Sequence, residues 1–135
     1  MAAPPRPAQQ PRGILVVDDD HIVLVGLRTT LERDGYDVVV ARNGHEAVDA
    51  LSRRRFGLVI TDLMMPGLSG IGVLERVRSV SPATRVVVLS GYPRRSAANE
   101  ALRKGADEFL LKPIDYARLR ETVHEQMVGV GGTVK

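Results

Sequence analysis

The chain has no cysteine and no tryptophan, and only 4% of its 135 residues are aromatic. The lack of cysteine excludes a disulfide framework and a thiolate site, and it is typical of a reducing compartment. No apolar run is long enough to span a membrane, and the N-terminus has no hydrophobic signal region. We therefore expect a cytoplasmic protein with no membrane partner.

The chain also has little excess charge of one sign outside its ends. The formal charge is +3, but Arg6 and Arg12 lie in the first 12 residues and Lys135 is the last residue. Without these three, 16 basic residues face 16 acidic ones. A basic face for nucleic acid is not indicated, so we expect nucleic-acid binding only through an output domain outside this chain.

Composition indicates one domain with two short flanks. Residues 1–12 contain four prolines and little to bury, so we expect a disordered leader. An apolar content of 44% is enough for a single core, which we place at residues 13–128. Glycines 129, 131 and 132 predict that the last helix ends before a glycine-rich tail or linker start at residues 129–135.

Five apolar runs alternate with five segments of helical periodicity. Continuous runs of Val, Ile and Leu are typical of strands buried on both faces. Strands are therefore expected at 14–17, 38–40, 58–61, 85–89 and 109–111. The alternation predicts an α/β fold, a (βα)5 doubly wound parallel sheet with helices on both faces.

The helix expected at residues 96–104 has little to hold it in place. Its core-facing side offers only Ala97, Ala98, Ala101 and Leu102. Burying one leucine stabilises by about 1.5–3 kcal/mol, and burying an alanine by far less. We expect this helix to be the part of the domain that moves.

Polar residues follow four of the five predicted strands. Asp18 and Asp19 follow the first strand, Asp62 the third, Ser90 the fourth and Lys112 the fifth. In open parallel sheets the working site lies beyond the carboxyl ends of the strands. We expect these side chains to lie close together.

Such a cluster of carboxylates needs a counter-charge. Two unit charges about 4 Å apart repel by about 4 kcal/mol at an effective dielectric of 20. Oxygen ligands of this kind suit Mg²⁺. A cation, a nucleophilic carboxylate, a hydroxyl and an ammonium are the parts needed to accept a phosphoryl group.

Four stretches carry a resemblance to a known family: ILVVDDD, VITDLMMPGLSG, VVVLSG and GADEFLLKP. In this order they resemble the receiver domain of bacterial two-component response regulators, over residues 13–128. The resemblance implies a flavodoxin-like strand order of 2-1-3-4-5. It also implies a signalling phosphoacceptor, not an enzyme, whose partner is a sensor histidine kinase or phosphotransfer protein, and it leaves room for a phosphorylation-dependent dimer.

The resemblance assigns roles to individual residues. Asp62 is the phosphorylation site, and Asp19, Asp62 and the backbone carbonyl of Met64 hold Mg²⁺ with help from Asp18. Lys112 pairs with the phosphoryl oxygens. Ser90 moves in to hydrogen-bond them and Phe109 turns inward behind it, which switches the surface formed by the fourth helix, the fifth strand and the fifth helix.

Two positions near the expected site bear on the lifetime of the phosphorylated form. Met64 and Tyr92 lie two residues beyond Asp62 and Ser90, where side chains flank the path of the attacking water. Both are bulky and neither suits the orientation of a water molecule. We expect slow autodephosphorylation.

The first helix has an apolar stretch wider than one core-facing stripe. Four consecutive apolar residues occupy positions 22–25. We expect at least one of them to face water beside the acidic residues, either as a docking site for a kinase helix or as an edge residue half covered by a loop.

Two other interpretations of the sequence remain open. Asp18 could be the nucleophile of a haloacid-dehalogenase-type phosphatase, which would leave Asp62 without a role. Alternatively, the chain could be a receiver-like binding module that never carries phosphate. Labelling with acetyl phosphate separates the three.

Overall fold

The computed structural model describes residues 12–91 and 95–132, in which five strands alternate with five helices. Residues 1–11 of the expected leader therefore lie outside the described residues. In chain order the elements are β1 Gly13–Val17, α1 His21–Arg33, β2 Asp37–Ala41, α2 Gly44–Arg53, β3 Leu58–Asp62, α3 Gly70–Val80, β4 Arg85–Ser90, α4 Arg95–Arg103, β5 Glu108–Leu111 and α5 Tyr116–Gly132.

The strands form one parallel sheet in the order β2-β1-β3-β4-β5, which confirms the expected fold. The register decides what meets at the carboxyl edge. Val17 pairs with Thr61, and Asp62 pairs with Leu89. Ser90 pairs with Leu111. Because these pairs lie within one residue of the strand ends, the residues that follow β1, β3, β4 and β5 are brought to one edge.

Each face of the sheet carries its own apolar cluster. Successive side chains of a strand point to opposite faces, so Leu15 and Val17 of β1 belong to one cluster and Ile14 and Val16 to the other. Helices α2, α3 and α4 complete the first cluster, and α1 and α5 complete the second. Among the described residues, no helix combines the length and the apolar content needed to cross a membrane.

Side chains cap the start of four helices. Asp20 accepts a hydrogen bond from the Ile22 amide at 2.9 Å at the start of α1. Asn43 accepts from the Glu46 amide at 2.8 Å, and Ser69 from the Gly72 amide at 3.3 Å. Asp115 accepts from the Ala117 and Arg118 amides, at 3.0 and 3.2 Å. Each cap satisfies free amide groups in the first turn of its helix.

Two expectations about the helices are wrong. Leu102 does not face the core, since it is 37% exposed, whereas Ala98 and Ala101 are buried. The position after Ala101 is rotated by about 100° around the helix and therefore faces away. Helix α5 does not end before Gly129 but continues to Gly132. A glycine disfavours a helix by only about 1 kcal/mol, which does not prevent helical backbone.

Arg78, near the end of α3, ties together the parts of the chain at the opposite edge of the sheet. Its guanidinium donates to the carbonyls of Thr84 and Gly105, both at 2.6 Å, and to the Asp107 carboxylate at 2.9 Å. Asp107 also accepts from the Val86 amide at 2.8 Å. Arg78 therefore joins α3, the start of β4 and the loop between α4 and β5.

Candidate functional site

The polar residues singled out from the sequence lie together at the carboxyl edge. Asp18 is fully buried after β1, and Asp62 and Ser90 are buried at the ends of β3 and β4. Asp19 is exposed beside them. The Lys112 amide donates to the Ser90 carbonyl at 2.8 Å, which places its side chain at the same edge.

Three carboxylates form a tight cluster there. Asp18, Asp19 and Asp62 each offer an oxygen, and these oxygens lie within 4.8 Å of one another. At that separation and an effective dielectric of 20, each pair of charges repels by about 3.5 kcal/mol. The cluster needs a nearby cation to be stable when all three groups are ionised.

Lys112 supplies one positive charge to two of them. Its Nζ lies 2.7 Å from Asp18 Oδ2 and 3.5 Å from Asp62 Oδ2. The contact with Asp18 was not expected from the sequence. No sequence signal indicates it, because the distance depends on the register between β1, β4 and β5.

Asp18 remains incompletely satisfied in spite of this contact. Its Oδ1 accepts from the Asp20 amide at 2.9 Å. Its Oδ2 is buried and, among the described residues, is approached by the Lys112 ammonium as an ion pair but has no other partner. A buried carboxylate oxygen in this condition is suited to a further cation.

Burial changes the protonation equilibria of the site. Burial raises the pKa of Asp18, although Lys112 and the Asp20 amide act in the opposite direction. Burial and the neighbouring Asp18 charge raise the pKa of Asp62. Burial disfavours the charged form of Lys112, but the two carboxylates outweigh it and raise its pKa. The site is therefore short of positive charge.

Of the remaining predicted site residues, the structure describes Met64 and Phe109. The Met64 amide lies 3.5 Å from Asp62 Oδ1, and the Met64 side chain is 58% exposed. Phe109 is half-buried and packs against the apolar cluster on the face of the sheet that α2, α3 and α4 cover. Tyr92, expected to influence dephosphorylation, lies outside the described residues.

Helix α1 starts at the same edge and exposes apolar side chains there. Ile22 is 80% exposed and Val25 is 49% exposed, whereas Leu24 between them is buried. The expectation that part of this stretch faces water is confirmed.

Comparisons with known proteins agree on one family. A family model described as the response regulator receiver domain matches residues 14–124. The transcriptional regulatory protein ZraR of Salmonella typhimurium is 35% identical over 114 residues, which are 84% of this chain and 26% of ZraR. The chain thus spans about a quarter of the length of such relatives.

Two further matches cover nearly whole proteins. Sporulation initiation phosphotransferase F of Bacillus subtilis is 30% identical over 84% of this chain and 92% of its own length. A CheY-like receiver domain protein of Methanospirillum hungatei superposes with a TM-score of 0.84 at 28% identity, covering 87% of this chain and 94% of that one. The resemblance in sequence, the strand order and these matches agree, and the chain belongs to the response regulator receiver domain family of two-component systems.

Proposed function

We propose that this receiver domain accepts a phosphoryl group on Asp62 from a histidine kinase or phosphotransfer protein. The observation that carries the proposal is the surroundings of Asp62, a buried carboxylate within 4.8 Å of two others and 3.5 Å from an ammonium. In the transfer, an Asp62 oxygen forms a bond to phosphorus while the bond from phosphorus to the donor's histidine nitrogen breaks. The donor's imidazole is the leaving group.

The acid cluster fits Mg²⁺. Its donors are all oxygens, and the buried Asp18 Oδ2 has no partner other than the Lys112 ammonium among the described residues. Asp19, Asp62 and the Met64 carbonyl would hold the ion, with Asp18 assisting. Bound Mg²⁺ would neutralise charge on the phosphoryl oxygens.

Labelling with acetyl phosphate tests the phosphoacceptor. In the presence of Mg²⁺ we expect one label per chain at Asp62, none in Asp62→Asn, and full labelling in Asp49→Asn, an exposed control on α2. A label at Asp18 would instead favour the phosphatase reading. If no residue is labelled, the interpretation as a receiver-like binding module that never carries phosphate would be favoured. The oligomeric mass before and after labelling tests for a phosphorylation-dependent dimer.

Lys112 and Ser90 are the proposed partners of the phosphoryl oxygens, and Ser90 and Phe109 are the proposed switch residues. Helix α4 is suited to follow them, because the side chains that are buried in its described part, residues 97–103, are alanines and Leu102 is exposed. A full switch from 1:99 to 99:1 needs about 5.5 kcal/mol of differential stabilisation. Amide exchange of α4, β5 and α5 should change when the phosphoryl mimic beryllofluoride is added, and unchanged exchange would refute the switch.

The exposed start of α1 is the proposed docking site for the phosphodonor. Ile22 is 80% exposed, directly after the acidic residues that follow β1. We expect Ile22→Asp to slow transfer from a phosphorylated kinase while leaving labelling by acetyl phosphate unchanged. Val80→Asp is the matched control, because Val80 is 50% exposed at the end of α3, near the opposite edge of the sheet. Equal effects of both changes on kinase transfer would count against docking on α1.

Met64 leads us to propose that phosphorylated Asp62 loses its phosphoryl group slowly. Its exposed thioether side chain cannot orient an attacking water molecule, whereas an amide can. We expect Met64→Asn to shorten the lifetime of the acyl phosphate, and Met64→Leu to leave it unchanged. A decay rate in Met64→Asn equal to that of the wild type would contradict this reasoning.

A further inference from the structure

The loop between β3 and α3, residues 63–69, is fixed at both ends. It starts directly after Asp62, and at its far end the Ser69 hydroxyl caps α3. The Gly70 amide donates to the Leu63 carbonyl at 3.2 Å. A methyl group at Gly70 would lie 2.7 Å from Leu63 Cα, so the start of α3 lies directly against the end of β3.

Inside the loop, exposed and anchored residues alternate. Met64, Pro66 and Gly67 are exposed, whereas Met65 is buried and Leu68 is partly buried against the apolar cluster of that face. Leu68 is thus the last apolar anchor before the capping serine. Leu63, Met65 and Leu68 are the apolar side chains that tie this loop to the domain.

Leu68 occupies a seat formed by two glycines on different helices, Gly44 of α2 and Gly72 of α3. A methyl group at Gly44 would lie 2.6 Å from Leu68 Cβ and 2.9 Å from its Cγ, and it would also meet the Leu68 carbonyl oxygen. A methyl group at Gly72 would lie 3.0 Å from Leu68 Cγ and would meet Cδ1. Neither helix could approach Leu68 this closely with a side chain at these positions.

We propose that Leu68 is a positioning residue of the phosphoacceptor site, which its two-glycine seat holds so that the loop presents the Met64 carbonyl to Mg²⁺. The proposal rests on the proposed function. If the loop is already ordered in the free protein, no conformational entropy is lost in ordering it when the ion binds. This saving makes the free energy of binding more favourable. Residues that support metal ligands typically change metal affinity by about 10- to 100-fold.

Replacement of Leu68 tests this role. We expect Leu68→Ala to weaken Mg²⁺ binding by about tenfold, measured by titration of amide NMR shifts, because the loop loses its anchor while the three carboxylates remain. The KM for acetyl phosphate at subsaturating Mg²⁺ should rise in parallel. Leu68→Met conserves volume and should restore most of the affinity.

Leu51→Ala is the matched control. Leu51 lies on α2, is partly buried and packs against the same apolar cluster, but it is not in the loop. Both alanine variants should lower the unfolding temperature. If Leu51→Ala weakens Mg²⁺ binding as much as Leu68→Ala does, general loosening of the core explains the effect and the positioning role is wrong.

The seat itself is tested with a double variant. Gly72→Ala should weaken Mg²⁺ binding, because its methyl group displaces the end of the Leu68 side chain. The atoms it meets are absent in Leu68→Ala, so the double variant should match Leu68→Ala alone. Gly44→Ala should not be relieved in this way, because its methyl group also meets the Leu68 Cβ and carbonyl oxygen. Additive effects of Gly72→Ala and Leu68→Ala would overturn the seat.

Amide exchange in Mg²⁺-free buffer separates this proposal from the proposed function. The Met64 amide, which lies 3.5 Å from Asp62 Oδ1, and the Gly70 amide, which donates to the Leu63 carbonyl, should exchange faster in Leu68→Ala than in the wild type and in Leu51→Ala. Unchanged exchange would overturn the proposal even if Asp62 accepts phosphate. Faster exchange supports the anchoring role even if acetyl phosphate does not label Asp62, a result that would refute the proposed function alone.

Discussion

Replacing Lys112 by methionine removes the one side-chain cation that contacts the acid cluster among the described residues. The Lys112 ammonium lies 2.7 Å from Asp18 and 3.5 Å from Asp62, and its side chain is only 20% exposed. Methionine retains most of the apolar stem without the charge. The change therefore leaves two buried carboxylates without their partner.

The expected cost is large for a single substitution. Removing one member of a buried ion pair costs about 3–5 kcal/mol, and the partial exposure of Lys112 favours the lower end. We expect Lys112→Met to lower the free energy of unfolding by about 3 kcal/mol at pH 7 without Mg²⁺, or the unfolding temperature by about 10 °C. Urea unfolding followed by circular dichroism measures this difference.

The loss of unfolding free energy in Lys112→Met should depend on pH. Burial already raises the pKa of Asp18 and of Asp62, and Lys112 opposes this rise. Without Lys112 both pKa values rise further. A carboxyl group with a raised folded pKa favours the fold while it is protonated, and this contribution is lost as the pH rises through the folded pKa. The deficit should therefore be small near pH 3.8, the ordinary pKa of an aspartate, and should grow as the pH rises through the raised folded pKa values.

Lys104→Met is the control for this experiment. Lys104 pairs with Glu75 at 3.0 Å, but both side chains are well exposed, so we expect no measurable change in stability. Mg²⁺ should recover part of the stability of Lys112→Met, because the ion supplies positive charge to the same carboxylates. A Lys112→Met protein as stable as the wild type at pH 7, or a deficit that does not shrink on acidification, would refute the electrostatic reasoning.

Three further predictions concern stability. Arg78→Met should lower the free energy of unfolding by about 3 kcal/mol in urea titrations, because it removes the Arg78 donor from carbonyls of two loops and one of the donors to Asp107. A loss below about 1 kcal/mol would show that these bonds are replaced by water. Asp115→Ala should cost about 1 kcal/mol as the loss of the α5 cap, and Asp115→Asn, which keeps an acceptor, should cost less in the same titration. Mg²⁺ at 100 times its dissociation constant should stabilise the wild type by about 2.7 kcal/mol, while calorimetric scans of Asp19→Asn at the same Mg²⁺ concentration should show a smaller gain; equal gains would exclude Asp19 as a ligand.

The pattern of apolar runs was sufficient to predict the five strands and the parallel sheet. Runs such as residues 14–17 and 58–61 contain no polar alternation, and this is a local property of strands buried on both faces. The N-caps at Asp20, Asn43 and Ser69 could be predicted for the same reason, since a cap involves residues only two or three positions apart. The strand order came from the family resemblance.

Other features could not be predicted from the pattern of residues in the sequence. The alanines and Leu102 of α4 are all apolar in sequence, and only the rotation of the packed helix shows that Leu102 faces solvent. The end of α5 was misjudged because glycine is a weak signal that helix continuation can override. The residues that hold the loop after Asp62 could not be identified, because Gly44, Leu68 and Gly72 lie on three different segments.

Strand burial, helix capping and the position of a residue after a strand are local properties, so the kind of fold and the chemical groups at one edge of the sheet could be predicted from the amino-acid sequence. The distances between those groups could not be predicted in this way and follow from the packing of the folded chain. The contact of Lys112 with Asp18 and the seating of Leu68 between two glycines depend on strand register and on how closely helices approach, and these are set by packing across the whole domain.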